Sequence, residues 1–244
     1  MTQPVLDFKG VVKSYADNKV LEGVDLTVGV GEFFALVGAN GQGKTTLMKG
    51  LLDFIEVDAG EIEIGGQTHR LPRSREPLAY LPERFIPPPF LSGRHFLRYF
   101  MRLHSRPFQE DAVERLLEAL DFDPAALDQS VGSYSKGMIQ KLGLMGCLLS
   151  EKPLLLLDEP MSGLDPKARV LLKQELLRLK GKGGSLFFST HLLTDVEELC
   201  DRMAILHKGR LRFVGSPQGC RERFPAQSLE GSFIRCIESD IDFL

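Results

Sequence analysis

The sequence predicts an α/β fold built on a mostly parallel β-sheet, and three features support this. Short, continuous apolar segments recur along the 244-residue chain, at Phe33–Val37, 154–157, 186–188 and 203–206. Such segments are typical of strands buried on both faces of a parallel sheet. A helix is expected between two of them, from Pro166 to Lys180, because Asp165 can cap it and Gly181 can end it. The opening segments 6–9 and 24–28 instead alternate apolar and polar residues, which indicates an N-terminal lobe of half-exposed antiparallel strands.

The composition is that of a globular protein. Hydrophobic residues make up 43% and charged residues 26% of the chain, which is close to the globular average. A net charge of -3 provides no overall attraction for nucleic acid, so we expect no nucleic-acid partner. The four cysteines lack metal-ligand spacing and are expected to be reduced thiols. No apolar segment approaches the roughly 20 residues that span a bilayer, and no signal peptide is evident, so we expect a soluble, cytoplasmic protein.

We predict one domain, residues 1–244, with two lobes and a tail. The core lobe comprises 5–85 and 150–215, the helical lobe 86–149, and the short C-terminal tail 216–244. Three consecutive prolines, 87–89, open the helical lobe, where helical periodicity is present at about 93–120 and again at 136–149. The tail is too short for a regulatory domain, and we expect no effector site there.

A phosphate-binding loop is the first motif that carries chemistry. Residues 38–45 fit the P-loop pattern GxxxxGK[ST], and they lie between the strand Phe33–Val37 and the helix-compatible segment 46–52, as the motif requires. Its glycines let backbone N–H groups converge on phosphate oxygens at a helix N-terminus, while Lys44 reaches the β- and γ-phosphates and the Thr45 hydroxyl can bind Mg²⁺. The alternative, a glycine-rich turn with a surface lysine, does not explain this order of elements. The candidate nucleotide-binding residues are Gly38, Ala39, Asn40, Gly41, Gln42, Gly43, Lys44, Thr45 and Thr46.

An acidic pair follows the apolar segment 154–157. In open α/β sheets ligands bind at the carboxyl ends of the strands, so Asp158 is a candidate Mg²⁺ ligand and Glu159 a candidate general base. The alternative, two solvated acids at a turn, is less favoured because a P-loop lies upstream. A guanine-specific motif is not found, since the dipeptide Asn18-Lys19 is not followed by an acid.

Three further motifs make a family recognisable. They are SYSKGM at 133–138, SGLD at 162–165 and STH at 189–191. In the order P-loop, SYSKGM, acidic pair, SGLD and STH, the motifs resemble those of the ABC (ATP-binding cassette) ATPases over roughly residues 5–215. Each later motif is weak alone, and the common order is what carries the resemblance. The spellings YLPE at 80–83 and YSKGM are similar to the branch that serves ABC-2 type exporters.

The resemblance implies a P-loop NTPase (RecA-like) core that binds ATP and Mg²⁺ and couples ATP hydrolysis to transport. It implies a head-to-tail homodimer or heterodimer with another ATP-binding subunit, in which Ser135 and Gly137 contact the γ-phosphate held by the other subunit. It also implies separate transmembrane permease subunits, through which the protein would lie peripherally on the inner face of the cell membrane.

Individual roles follow from the same resemblance. His191 would contact the γ-phosphate near Glu159, and Asp165 would report across the dimer. Tyr15 matches the aromatic residue that stacks on adenine, although a tyrosine packed in a hairpin is the alternative. Glu83 stands where the family usually has glutamine, and it is expected to bind Mg²⁺ or a water while adding negative charge beside the triphosphate.

Two alternative functions and one surface stay open. A non-transport ABC ATPase of the DNA-repair type would carry a long coiled coil between Lys44 and Ser135, and that segment holds no sustained heptads. A P-loop kinase would leave SYSKGM and His191 unexplained. Aromatic residues near the prolines are either a docking surface or the core of the helical lobe. They are Phe85, Phe90, Phe96, Tyr99 and Phe100.

Overall fold

The computed structural model describes residues 3–239, in which ten strands and eight α-helices are arranged around two sheets. The strands are β1 (Leu6–Tyr15), β2 (Asn18–Val28), β3 (Phe33–Val37), β4 (Ala59–Ile64), β5 (Gln67–Thr68), β6 (Leu78–Leu81), β7 (Leu154–Asp158), β8 (Ser185–Thr190), β9 (Arg202–His207) and β10 (Arg210–Gly215). The helices are α1 (Lys44–Leu51), α2 (Gly93–Leu103), α3 (Glu110–Ala119), α4 (Lys136–Leu149), α5 (Pro166–Gly181), α6 (Leu193–Leu199), α7 (Pro217–Arg223) and α8 (Leu229–Glu238). Short 3₁₀ helices lie at Pro72–Arg75, Pro124–Asp128 and Val131–Ser133.

The larger sheet confirms the predicted α/β fold class. Its strand order is β10-β9-β3-β8-β7-β6, and β9, β3, β8, β7 and β6 run parallel. The four apolar segments of the sequence are β3, β7, β8 and β9. The smaller sheet, in the order β2-β1-β4-β5, is antiparallel and forms the predicted N-terminal β lobe. The antiparallel edge strand β10 was not predicted, because most of its side chains are partly exposed and no apolar segment marks it.

The core lies on both faces of the larger sheet. Along β3, Phe33, Ala35 and Val37 pack into one hydrophobic cluster, whereas Phe34 and Leu36 pack into another. The first cluster includes side chains of the helical region, and the second includes side chains of the antiparallel sheet and α1. A strand covered on both faces needs no polar alternation, which is why these strands appear as continuous apolar segments in the sequence.

The helical region differs from the prediction in one respect. Residues 93–120 are two helices rather than one, because α2 ends at Leu103 and α3 begins at Glu110. The connection contains Ser105 with φ 55°, a left-handed conformation, and Pro107, which has no backbone N–H to donate within a helix. Helix α4 covers the predicted range 136–149.

The end of the described chain is helical. Helix α8 is capped by Ser228, whose Oγ accepts a hydrogen bond from the Gly231 N–H at 3.2 Å. This helix lies in the predicted C-terminal tail, and residues 240–244 of that tail lie outside the described residues. Within residues 3–239, no helix combines the length and hydropathy needed to cross a bilayer.

A buried carboxylate joins the helical region to the core. Glu175 in α5 is 4% exposed, accepts a hydrogen bond from Arg115 Nη1 of α3 at 2.9 Å, and also pairs with Arg178. We expect Arg115→Ala to lower the free energy of unfolding by about 1–3 kcal/mol, because it removes one of two partners of a buried charge. Urea denaturation measures this. Lys167→Ala, which breaks an exposed ion pair with Asp121, is the matched control and should have a much smaller effect. Equal losses in the two variants would contradict the prediction.

Candidate functional site

The P-loop connects β3 to α1, and its shape depends on glycine. Gly41 has φ 80° and Gly43 has φ 104°, values in the left-handed region that other residues rarely adopt. A Cβ atom on Gly43 would lie 2.7 Å from the Val20 carbonyl oxygen, so a larger residue is excluded there. The loop can therefore present its backbone N–H groups at the N-terminus of α1, the arrangement that binds phosphate.

Lys44 is held inside this loop. Its side chain is 6% exposed, and Nζ donates hydrogen bonds to the carbonyl oxygens of Gly38 at 2.6 Å and Ala39 at 3.3 Å. The same ammonium lies 3.4 Å from Glu159 Oε1. A buried cation at the centre of a glycine-rich loop is the charge that a bound polyphosphate requires.

Thr45 and Asp158 meet although 113 residues separate them in the sequence. The Thr45 hydroxyl donates to Asp158 Oδ2 at 2.9 Å, and Asp158 is buried at the end of β7. A hydroxyl and a carboxylate are oxygen ligands of the kind that Mg²⁺ prefers. The described residues contain no group of three or more His, Cys, Asp or Glu side chains arranged to hold a metal ion. Mg²⁺ at this position would take most of its other ligands from phosphates and water, as it usually does, and Glu83 in the lining of the cavity stays the further candidate ligand.

Ser189 is a site residue to which no role was assigned from the sequence. Its Oγ donates to Asp158 Oδ1 and accepts a hydrogen bond from the Glu159 N–H at 3.0 Å. It is buried at the end of β8, opposite Asp158 in the strand register. In the sequence, Ser189 is marked only as a polar residue near the carboxyl end of an apolar strand. Its partners Asp158 and Glu159 become evident only because β7 and β8 are adjacent in the sheet.

Glu159 and His191 form the second half of the site. Glu159 is 7% exposed and has φ 50°, and its Oε2 lies 2.9 Å from Nδ1 of the half-exposed His191. Within the described residues, Glu159 Oε1 is buried without a hydrogen-bond partner. A carboxylate with one oxygen oriented by an imidazole and the other without a hydrogen bond, 3.4 Å from the Lys44 ammonium, is suited to polarising a water molecule.

Lys44, Thr45 and Glu159 line one cavity of about 490 Å³. It is lined by Val20, Asn40, Gly41, Gly43, Lys44, Thr45, Thr46, Glu83 and Glu159. Most of the predicted P-loop, Glu83 and the general-base candidate Glu159 thus line the same cavity, and Val20 is an addition that no motif marked. Burial raises the pKa of the nearby Tyr80, and the negative charges of Asp158 and Glu83 raise it further. The acidic side of the cavity is therefore one that a divalent cation would neutralise.

Nine predicted site residues do not line the cavity. Gly38, Ala39 and Gln42 belong to the P-loop itself, and Asp158 and His191 contact the lining residues Thr45 and Glu159. The other four are Tyr15, Ser135, Asp165 and Gly137. Tyr15 ends β1 with its side chain 48% exposed. The Ser135 Oγ accepts a hydrogen bond from the Met138 N–H at 3.2 Å and caps α4, and Asp165 caps α5 through the Ala168 N–H at 2.9 Å.

Gly137, the fourth of them, packs against the SGLD segment. A Cβ atom at this position would lie 3.0 Å from the Gly163 carbonyl oxygen. The SYSKGM and SGLD segments therefore contact each other within one chain, and the proposed contacts of these residues with nucleotide or partner stay predictions.

Comparison with known proteins agrees with this geometry. A family model described as ABC transporter matches residues 21–162, more than half of the chain. The chain is 39% identical over 199 residues to an uncharacterized ABC transporter ATP-binding protein of Nostoc sp.. The match covers 80% of this chain and 59% of that protein, so the chain spans less than two thirds of the relative's length. It is 35% identical over 226 residues to the Nod factor export ATP-binding protein I of Burkholderia orbicola, and this match covers 91% of this chain and 74% of that protein.

Solved structures show the same fold. One described as the ATP binding subunit of an ABC transporter is 32% identical, with a TM-score of 0.85 over 95% of this chain and 99% of that chain. A second structure is a dimeric ATP-binding cassette in a post-hydrolysis state with ADP and Pi. It has a TM-score of 0.78 at 20% identity and covers 86% of this chain and 98% of that chain. At that identity the second likeness concerns the fold alone.

Proposed function

The chain belongs to the ABC transporter ATP-binding family, and from that premise we propose that it binds ATP with Mg²⁺ and hydrolyses ATP as the motor subunit of a transporter. The observation that carries this is the convergence of a buried lysine, a hydroxyl–carboxylate pair and a histidine-oriented glutamate on one cavity. Each of these groups is suited to one role in phosphoryl transfer to water: binding the phosphates, binding Mg²⁺ or activating the water.

The division of labour follows from the contacts. Lys44 and the P-loop N–H groups hold the phosphates and neutralise charge that develops on them. Thr45 and Asp158 would hold Mg²⁺, which supplies electrostatic stabilisation of the triphosphate. Glu159 accepts a proton from, or polarises, the attacking water, and His191 fixes the orientation of that carboxylate.

We propose that catalysis uses two copies of the cassette or a pair of related subunits. Ser135 is exposed at the N-terminus of α4 and Gly137 lies two residues further on, in the first turn, yet neither lines the cavity of its own chain. A helix N-terminus with an exposed hydroxyl is suited to contact a phosphate from outside. A head-to-tail arrangement would bring this end of α4 to the γ-phosphate held by the partner.

The second partner we propose is a separate transmembrane permease, which would hold the protein at the cytoplasmic face of the membrane. The aromatic residues near the prolines divide into two groups: Phe85, Phe96 and Phe100 pack in the hydrophobic core, whereas Phe90 is 82% exposed and Tyr99 is also exposed. Exposed aromatic side chains are enriched at interaction hot spots, so Phe90 and Tyr99 are the candidate permease contacts.

The direct test of the enzymatic part is phosphate release by the purified full chain. We expect hydrolysis of ATP that requires Mg²⁺ and stops when EDTA is added in excess, because Asp158 adds negative charge beside the triphosphate that Mg²⁺ would neutralise. Addition of surplus Mg²⁺ should restore the rate. Nucleotide binding without hydrolysis, even at high protein concentration, would contradict the proposed enzymatic role for the chain alone.

Glu83 gives a test of the coupling to transport. It lies in the loop after β6, lines the cavity, and precedes the helical region that we propose contacts the permease. We expect the Glu83→Gln variant to keep most ATPase activity, because glutamine retains an oxygen ligand. The Glu83→Ala variant should reduce transport in reconstituted vesicles more than it weakens nucleotide binding. Glu76→Ala, an exposed acid before β6, should change neither. Full transport by Glu83→Ala would show that Glu83 has no coupling role.

A further inference from the structure

Asp58 makes three hydrogen bonds to three consecutive residues of β1. Its backbone N–H donates to the Val12 carbonyl oxygen at 2.9 Å. Its carboxylate accepts from Lys13 Nζ at 2.8 Å and from the Ser14 N–H at 2.6 Å. The hydrogen bond from Lys13 holds the pKa of Asp58 below its usual range, and the bond from the Ser14 N–H lowers that pKa further. The carboxylate is therefore ionised at neutral pH and is a strong acceptor for both donors.

These bonds lie where regular pairing of β1 ends. The register between β1 and β4 shifts between Lys9 and Val12, and Val12 is the last residue of β1 with a partner in β4. The register with β2 shifts again between Lys13 and Ser14. The Asp58 carboxylate thus replaces ladder hydrogen bonds at the end of the strand, and the residue directly after its two carboxylate-bound partners is Tyr15.

Lys13 and Tyr15 are two positions apart on the strand and therefore project from the same face. The Lys13 ammonium lies 5.4 Å from the centroid of the Tyr15 ring, within the range of a cation–π contact. Asp58 fixes that ammonium at 2.8 Å. One carboxylate consequently constrains both the backbone that leads into Tyr15 and the cation beside its ring, while the ring itself stays half-exposed and accessible to a stacking partner.

We propose that Asp58 is a positioning residue for recognition of the nucleotide base, acting through Lys13 and the backbone of Ser14 on the ring of Tyr15. This inference rests on the proposed function and on the expectation from the family resemblance that Tyr15 stacks on adenine. It assigns to a residue outside every motif the task of holding the stacking surface at the distance and angle that a planar base requires.

Calorimetric titration of the full chain with two probes, each with Mg²⁺, tests this. The probes are AMP-PNP, which carries the base, and inorganic tripolyphosphate, which does not. Stacking of a base on an aromatic ring accounts for about a 10- to 100-fold change in affinity. We expect Tyr15→Ala to weaken AMP-PNP binding within that range. Asp58→Ala should weaken it about tenfold, and Asp58→Asn less, because the amide oxygen still accepts from the Ser14 N–H. The affinity for tripolyphosphate should stay within about twofold in all three variants.

The matched control is Asp25→Ala. Asp25 also accepts a backbone hydrogen bond in the same sheet, from the Gly10 N–H at 2.7 Å. It takes part neither in the cation–π contact of Tyr15 nor in the strand pairing of that residue. It should leave both affinities unchanged, and the double variant of Asp58→Ala with Tyr15→Ala should bind AMP-PNP no more weakly than Tyr15→Ala alone.

Three outcomes overturn the inference: unchanged AMP-PNP affinity in Asp58→Ala, an equal loss for both probes, or unchanged AMP-PNP affinity in Tyr15→Ala. In each of these cases binding of tripolyphosphate by the native chain would still support the P-loop. If the native chain bound neither AMP-PNP nor tripolyphosphate, that result would instead contradict the proposed function.

Discussion

Lys44→Ala should weaken ATP binding by about 100-fold or more and abolish measurable hydrolysis. Lys44 Nζ is a buried cation that lies against the carbonyl oxygens of the P-loop and 3.4 Å from Glu159 Oε1. Removing it leaves a carboxylate facing the site of a triphosphate without its nearest positive charge. The loss of one partner from a buried charge pair costs about 2–5 kcal/mol, which corresponds to the expected loss of affinity.

Titration with a fluorescent ATP derivative measures the affinity, and phosphate release measures turnover. Lys49→Ala is the matched control, because Lys49 lies in the last turn of the same helix but is exposed. It should bind and hydrolyse ATP as the native chain does. If Lys44→Ala kept both native affinity and native turnover, the assignment of residues 38–45 as the phosphate-binding loop would be wrong.

Much of the fold could be predicted because its signals are local. The apolar strands β3, β7, β8 and β9 are continuous in the sequence, and α5 is bounded by a capping aspartate and glycine. The helical periodicity at 93–120 was predicted without the break between α2 and α3, although Pro107 marks its position. Edge strand β10 was missed because a strand with one buried residue carries no clear pattern.

The site could be predicted to the extent that its residues lie in motifs. Lys44, Thr45, Asp158 and Glu159 each follow a strand end, and parallel strands place those ends at one edge of the sheet. Which strands are neighbours is a property of the tertiary fold, so two hydrogen bonds of Ser189 Oγ were not predictable: the one it donates to Asp158 and the one it accepts from the Glu159 N–H.

The same limit applies to Asp58. It shares no motif with Tyr15, and it reaches β1 only because β4 pairs with that strand. Tertiary pairing of strands, rather than spacing in the sequence, therefore decides which residues support the predicted ones.

Glu159→Gln should leave ATP binding close to native but reduce turnover by a factor of about 10² to 10⁴, the usual contribution of a general base. The hydrogen bonds to the Thr45 hydroxyl and Ser189 Oγ belong to Asp158, so the proposed Mg²⁺ position does not depend on Glu159. Glutamine keeps the size of the side chain and an oxygen near His191, but it cannot accept a proton. Phosphate release under saturating ATP, together with a binding titration, separates the two effects.

Unhydrolysed ATP should then hold two chains together. If Ser135 and Gly137 contact the γ-phosphate of the partner site, the Glu159→Gln variant will elute as a dimer in Mg-ATP and as a monomer without nucleotide on size-exclusion chromatography. Adding Ser135→Arg should keep the variant monomeric, because a long side chain would occupy the phosphate contact. Ser135 also caps α4, and loss of a cap costs about 1 kcal/mol, so thermal unfolding must show that this double variant is folded.

The two readouts fail separately. Hydrolysis by Glu159→Gln at the native rate would remove Glu159 as the base, whatever the oligomeric state. A variant that is inactive and binds ATP, yet remains monomeric at saturating nucleotide, would keep the base and contradict the head-to-tail pairing of the chain with itself. Mixing that monomer with a related ATP-binding subunit from the same cell would then test the heterodimer, since the γ-phosphate would still require a partner's Ser135-like hydroxyl at a helix N-terminus.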